Sequence, residues 1–263
     1  MPVRGPRTGP SAESIASLPI WYDLVDGPAQ AVVVSGADDW PVRASASLTE
    51  GVRAIIITDP GPASATLIAA LAETAASKGA IVLLSEPWAG DPTVLAVADE
   101  WRSAMRAATT IEAAAMDRPD GADNTALVLR QLRVIRRLGF AGIVLRGGND
   151  TAGAVSRIGD TADGAKVILF GVRSAGHEPS LDVVVTTPSQ TVTLRIGSSR
   201  TARPAFAILH TPTGGEVLPA IYETADRATF VLMHEVLTSG RSLDQLTNFA
   251  EDVKIAQKWA GRS

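Results

Sequence analysis

Residues 52–87 read VRAIIITDPGPASATLIAALAETAASKGAIVLLSEP, and this stretch decides the fold. It opens on a nearly unbroken apolar run, Ala54-Ile-Ile-Ile57, followed by Asp59-Pro-Gly-Pro62, a strong turn signal. From Ser64 to Lys78 the apolar positions Leu67, Leu71 and Ala75 recur at helical spacing, and Gly79 stops the helix. A second run, Ala80-Ile-Val-Leu-Leu84, leads into Ser85, Glu86 and Pro87. A strand, a crossover helix and a strand with continuous apolar runs predict a parallel sheet covered on both faces, because alternation appears only where one face stays wet. Ala31-Val-Val-Val34 adds a strand upstream, joined through a short link.

Working outward, Asp91 and Pro92 open a helix to about Arg106, with aspartate as N-cap and proline in the first turn. Met116 to Asp123 reads as a loop, and Thr125 to Leu138 as a basic amphipathic helix. The apolar period then changes from 3.6 to 2. Strands are expected at 142–146, 166–172, 181–186, 191–196 and 205–210, the last three as an antiparallel meander. Helices at 225–238 and 242–259 close the chain. The fold class is therefore α/β: a shortened Rossmann-like parallel sheet domain over 1–106, then an α+β domain with an open, mainly antiparallel sheet over 107–263. The first residues, MPVRGPRTGPSAES, lack an apolar signal core and read as a loosely docked lead-in.

Composition removes several classes of function. With no cysteine among 263 residues, disulfides, thiolate nucleophiles and zinc–thiolate sites are all excluded. His177, His210 and His234 have no ligand spacing, so no metal is expected. A net charge of −4 with interspersed signs offers no basic stripe for nucleic acid. The apolar runs are strand-length and far short of a membrane span, and a cytoplasmic location is expected.

The layout resembles the glucose–fructose oxidoreductase, inositol dehydrogenase and MocA family. The resemblance lies in Glu50-Gly-Val-Arg-Ala-Ile-Ile-Ile-Thr-Asp-Pro60, the helix after it, Lys78-Gly-Ala-Ile-Val-Leu-Leu-Ser-Glu-Pro87, and the closing Ser239-Gly-Arg-Ser-Leu-Asp-Gln-Leu-Thr247. It implies a nucleotide-binding domain, an open-sheet domain, an NAD or NADP cofactor and a sugar or polyol substrate. It also implies association through the second domain's sheet, as a homo-oligomer or as a hetero-oligomer with an active paralogue. Aligned on proline, Ser85 falls on the family's glutamate and Glu86 on its lysine; shifted by one, Pro87 falls on the lysine. An anion where a cation should steady a developing alkoxide opposes the chemical step. The family's downstream helix pairs histidine with aspartate, and here that helix reads TALVLRQLRVIRRL. The nearest counterpart of the glycine fingerprint, Val34-Ser-Gly-Ala-Asp-Asp-Trp-Pro41, has one glycine and two carboxylates.

The candidate residues are therefore those of a vestigial cleft. Glu86 is the candidate acid or base, against the ordinary reading of a solvated turn residue. Gly36, Thr58, Asp59, Pro60, Pro87 and Trp88 are the candidate cofactor contacts. Asp59 fits an Asx-type turn as well, and Trp88 a packing role. Arg130, Arg133, Arg136 and Arg137 read as the wet face of a helix. The expectation is a non-catalytic oxidoreductase-like subunit with no cofactor. The alternatives are an active NAD(P)-dependent enzyme with Glu86 as base, and a hydrolase or isomerase using Glu86 and Asp59.

Overall fold

The computed structural model describes the chain except residues 8, 19–20, 27–28, 119–122, 199–202, 241–242 and 260–263. Two compact units are present, Met1–Gly90 with Thr224–Lys254, and Asp91–Glu223 with Ile255–Ser263. The division therefore follows a route other than a single cut at 106/107: the chain leaves the first unit at Gly90 and re-enters it at Thr224.

The first unit is built on β1 (Pro2–Arg4), β2 (Asp23–Leu24), β3 (Ala31–Ser35), β4 (Ala54–Thr58) and β5 (Ile81–Ser85), in the order β2-β1-β3-β4-β5. Every pair is parallel. Three helices belong to its N-terminal part, α1 (Pro10–Ala16), α2 (Trp40–Thr49) and α3 (Ala65–Ser77). The parallel sheet expected from residues 52–87 is present, and its register runs Ala54↔Ile81 to Thr58↔Ser85.

Two expectations are corrected here. The N-terminal residues are no loose lead-in: Val3 is buried, and β1 lies between β2 and β3 inside the sheet. A three-residue strand with one buried side chain carries no readable period, so only its backbone partners reveal it. The link between β3 and β4 is likewise a helix, α2, which buries Trp40, Ala44 and Leu48 at i, i+4, i+8. On α3 the inward stripe is Ile68, Leu71 and Ala75, while Leu67 is exposed.

One face of this sheet packs Val3, Ala54, Ile56 and Leu83 against Ile15, Leu18, Tyr22, Phe230 and Met233. The last two residues come from α7 (Ala225–Ser239). The Tyr22 hydroxyl donates to the Phe230 carbonyl at 2.5 Å, and burial pushes its pKa up. Trp40 meets Phe249 edge-on at 5.9 Å. Edge strand β5 has an outward ladder group met by a side chain, since the buried Leu84 N–H donates to Gln245 Oε1 at 2.8 Å.

The second unit opens with α4 (Pro92–Glu100) and α5 (Arg102–Met105). Asp91 caps α4 as expected, accepting from Thr93 N–H at 2.8 Å. The sheet is formed by β6 (Thr110–Asp117), β7 (Val144–Asp150), β8 (Ala154–Asp160), β9 (Lys166–Arg173), β10 (Ser180–Thr186), β11 (Thr191–Ile196), β12 (Phe206–Thr211) and β13 (Gly214–Val217). Its order is β13-β12-β11-β10-β6-β9-β8-β7, antiparallel except for β6–β9. The meander β10-β11-β12 matches the sequence reading, whereas β6, β8 and β13 were not legible in it. Part of the expected loop at 116–123 is the end of β6, and residues 119–122 of it lie outside the described residues.

Helix α6 (Asn124–Arg137) covers one face of this sheet, coming close enough to β9 that a Cβ on Gly171 would sit 2.5 Å from Leu127 Cδ2. Its arginines are not simply a wet face. Arg133 is buried, and Arg130 pairs with Asp117 at 2.5 Å. The opposite sheet face presents Met116, Ile158, Ile168 and Phe170 in exposed positions. The last helix, α8 (Leu246–Gln257), begins later than the sequence suggests, with Thr247 N–H capped by Asp244.

Gln131 on α6 is fully buried, and its Nε2 donates to the carbonyls of Ala113 and Phe170, at 2.8 Å each. Those carbonyls belong to the parallel pair β6 and β9, so this amide ties helix to sheet. Gln131→Leu is expected to lower the unfolding free energy by about 1–3 kcal/mol, read as a lower urea midpoint at unchanged slope.

Candidate functional site

In an open parallel sheet, ligands sit beyond the carboxyl ends of the strands, and that edge here carries every residue singled out for the first unit. Beyond the strand ends, Gly36 N–H donates to Thr58 O at 2.7 Å, Gly61 N–H to Gly36 O at 2.9 Å, and Asp59 N–H to Ser85 O at 2.8 Å. Gly36, Thr58, Asp59 and Pro60 are thus drawn together with Ser85 and Glu86 into one lip. The lip is tight: a Cβ on Gly36 would lie 2.3 Å from Pro60 Cα and 2.5 Å from Asp59 O. Trp40 Nε1 braces it by donating to Gly61 O at 3.1 Å, and Arg43 holds the carbonyls of Ser35 and Ala37. Asp59 has φ 48°, a left-handed conformation that aspartate tolerates, in keeping with the turn role.

Glu86 is buried, which corrects the solvated-turn reading. The turn Glu86–Gly90 closes with Gly90 N–H donating to Glu86 O at 2.8 Å. Trp88 within it is 3% exposed, as a packing residue would be. Pro87 is half-buried between them.

A partner for this lip comes from far away in the chain. Ser85 Oγ donates to Asp226 Oδ1, joining the end of β5 to the first turn of α7. Desolvation raises the Asp226 pKa, the Ser85 hydrogen bond works against the rise, and the charge of Asp59 adds to it. A separation of 141 positions between Ser85 and Asp226 leaves no local signal in the sequence.

The crevice where strand order changes direction lies between β1 and β3. The loop after β1 is Gly5-Pro-Arg-Thr-Gly9, so this is the first strand-to-helix turn, rather than the Val34–Pro41 segment expected from the sequence. Gly5 lies against Val33. Asp26 follows β2, 21 positions after Gly5 (26 minus 5), where dinucleotide-binding folds place the acid that takes a ribose hydroxyl. Here that carboxylate is met by Arg7 of the same loop, with Nε to Oδ1 at 3.1 Å and Nη2 on Oδ2. The Gly5–Asp26 spacing is the signal that could have located this loop.

The sequence matches no protein-family model and no curated protein. Solved structures do match. The UDP-N-acetylglucosamine 3-dehydrogenase of Acidithiobacillus ferrooxidans is 12% identical with a TM-score of 0.75, over 98% of this chain and 96% of that one. A 3-ketoreductase from Actinomadura kijaniata, solved with TDP-benzene and NADP in an open conformation, is 14% identical with a TM-score of 0.70, over 98% and 88%. A lysine-to-glutamate variant of that ketoreductase, also with TDP-benzene and NADP, is 14% identical with a TM-score of 0.69, over 97% and 86%. The chain thus has the fold of these sugar oxidoreductases, as the family resemblance implied.

Against a dinucleotide, the first loop offers a depleted donor set. Pro6 and Pro10 have no N–H, Glu13 puts a carboxylate in the first turn of a seven-residue helix, and Asp26 is already paired. Among the described residues, no group of three or more acidic or histidine side chains could hold a metal. No described helix is long and apolar enough to cross a membrane.

Two outcomes follow from the lip. Gly36→Ala places a methyl group on backbone that cannot swing away, and a loss of about 3 kcal/mol is expected in thermal or urea unfolding. For Asp226 the folded pKa lies above the unfolded one, so the folded state holds its proton longer. Its contribution is most favourable below the unfolded carboxylate value and is lost as pH rises through the folded one. Asp226→Asn, which can still accept from Ser85, is expected to gain thermal stability relative to the parent as pH rises from 4 to 7. A constant difference across that range would refute the assignment.

Proposed function

We propose that this chain is an oxidoreductase-like protein that does not transfer hydride and serves as a binding or structural subunit. The observation that carries this reading lies just after β1, where Pro6 in the loop and Pro10 at the start of α1 remove amide donors and Arg7 pairs with Asp26. A pyrophosphate needs converging backbone N–H groups, and a ribose needs a free carboxylate. The lysine that the resemblance calls for after β5 falls on buried Glu86 or on Pro87, depending on the alignment, and its absence in either supports the same conclusion for the chemical step. On this reading no cofactor is held, and the protein works in the cytoplasm without nucleic acid or membrane. The exposed apolar face of the second unit's sheet supports association, with another copy or with an active paralogue.

A second reading is an active NAD(P)-dependent sugar or polyol oxidoreductase with a divergent site. It is favoured by the fold likeness to proteins solved with NADP, one of them a lysine-to-glutamate variant. Calorimetric titration of the purified chain with NAD, NADH, NADP and NADPH separates the two. The first reading expects no heat of binding from any of the four at millimolar concentration. Micromolar binding together with nucleotide-dependent oxidation of a polyol would establish the second.

A further inference from the structure

The first unit holds a cleft of about 340 Å³ that neither functional reading uses. It is lined by Ala72, Ala75 and Ala76 of α3, by Val82 of β5 with Ala80 just before it, and by Gln245 ahead of α8. Its volume is in the range of small-ligand sites.

The cleft faces the open side of a strand. β5 is the last strand of its sheet, so one side of its backbone has no neighbouring strand. Ile81 N–H turns inwards, to Arg53 O at 2.9 Å, and Leu84 N–H turns outwards, to Gln245 Oε1. Backbone groups alternate sides along a strand, so Val82 N–H and C=O point outwards with those of Leu84. The cleft touches Ala80 and Val82 but neither Ile81 nor Leu83, as a cleft on that outer side must. Neither backbone group of Val82 has a hydrogen-bond partner among the described residues.

A side chain points to the same missing neighbour. Gln245 is 9% exposed and lines the cleft. The donor at Leu84 fixes its amide with the oxygen towards the strand, which leaves Nε2 to donate elsewhere. Nε2 has no partner, yet it keeps accessible surface. A donor on so buried a side chain is stabilised by an acceptor, and a chain lying along β5 brings one. Glu73 and Asp244 add two exposed carboxylates to the lining, neither in an ion pair among the described residues.

We propose that this cleft docks a short extended peptide carrying a basic residue, added as a further strand on β5. The peptide backbone answers Val82 N–H and C=O, another of its carbonyls accepts from Gln245 Nε2, and its cation reaches Glu73 and Asp244. Main-chain bonds supply the affinity, and the carboxylates supply the preference for a cation. Small side chains suit the wall of alanines. Two copies of this chain joined edge to edge would bring like carboxylates together, which disfavours a second copy as the occupant.

The test follows the Val82 backbone amide and the Gln245 side-chain amide of the intact chain by nitrogen-edited NMR, with both signals assigned by through-bond experiments. The probe is the capped tripeptide acetyl-alanyl-lysyl-alanine amide, expected to move both signals saturably in the millimolar range. Its glutamyl counterpart and a version methylated at every backbone nitrogen are each expected to bind at least tenfold more weakly. The double variant Glu73→Gln/Asp244→Asn, whose asparagine can still cap Thr247 N–H, is expected to weaken the lysyl peptide at least tenfold. Ala76→Arg, at an exposed position of α3, fills the cleft and is expected to abolish the response with thermal unfolding unchanged. Unmoved signals overturn the proposal, as do equal responses to either control peptide or full affinity in either variant. Signals that move with protein concentration alone assign this edge to a second copy, and overturn it as well.

Discussion

A parallel sheet has no face it can leave in water, since its connections return over both sides and its strands are apolar throughout. In the first unit that constraint falls on β3, β4 and β5, whose residues Val33, Ile55, Ile56, Ile57 and Leu83 are buried almost without interruption. Two separate helical layers must therefore be found for them. One face is met by α2 and α3, through Trp40, Leu48, Ile68 and Leu71. The other needs α1 and α7, and α7 arrives only after the chain has run through Asp91–Glu223 of the second unit. Burying a large side chain such as Phe230 is worth about 1.5–3 kcal/mol, so this return contributes directly to the stability of the unit.

Polar contacts then fix how α7 sits on the sheet. Tyr22 to Phe230, Ser85 to Asp226 and Gln245 to Leu84 are each a side chain answering a group that the fold would otherwise leave buried and unmet. A neutral hydrogen bond such as those from Tyr22 and to Gln245 contributes about 1 kcal/mol net, but leaving its partner bare costs more. The same logic closes the carboxyl edge. The lip formed by Gly36, Thr58, Asp59 and Pro60 is sealed by main-chain bonds and by a glycine contact too close for any side chain. At this lip, beyond the ends of β3, β4 and β5, the carboxyl edge of the sheet is packed backbone.

Legibility in the sequence followed the amount of local periodic signal. β4, α3 and β5 were readable because each carries several buried residues at its own period. β1 was not, since Val3 alone points into the core and its flanking glycines and prolines suggest a loop. α2 begins Trp40-Pro41, which resembles a turn, although proline in a first helical turn is well tolerated and the Trp40-Ala44-Leu48 stripe was present. Arg133 misled in the other direction, because a charged residue is assigned to solvent unless a buried partner is known.

For this protein the sequence alone determined the class of fold, the parallel direction of β4 and β5, the antiparallel meander β10-β11-β12 and the absence of thiol chemistry. These depend on residue type and spacing over a few turns or strands, which any window of the chain reports. Only the tertiary structure decided that β1 belongs inside the sheet, that Arg7 meets Asp26, that Asp226 meets Ser85 and that Glu86 is shut away from water. Those facts depend on which distant segments share a boundary. Burial and hydrogen-bond satisfaction are properties of the assembled core rather than of any stretch within it.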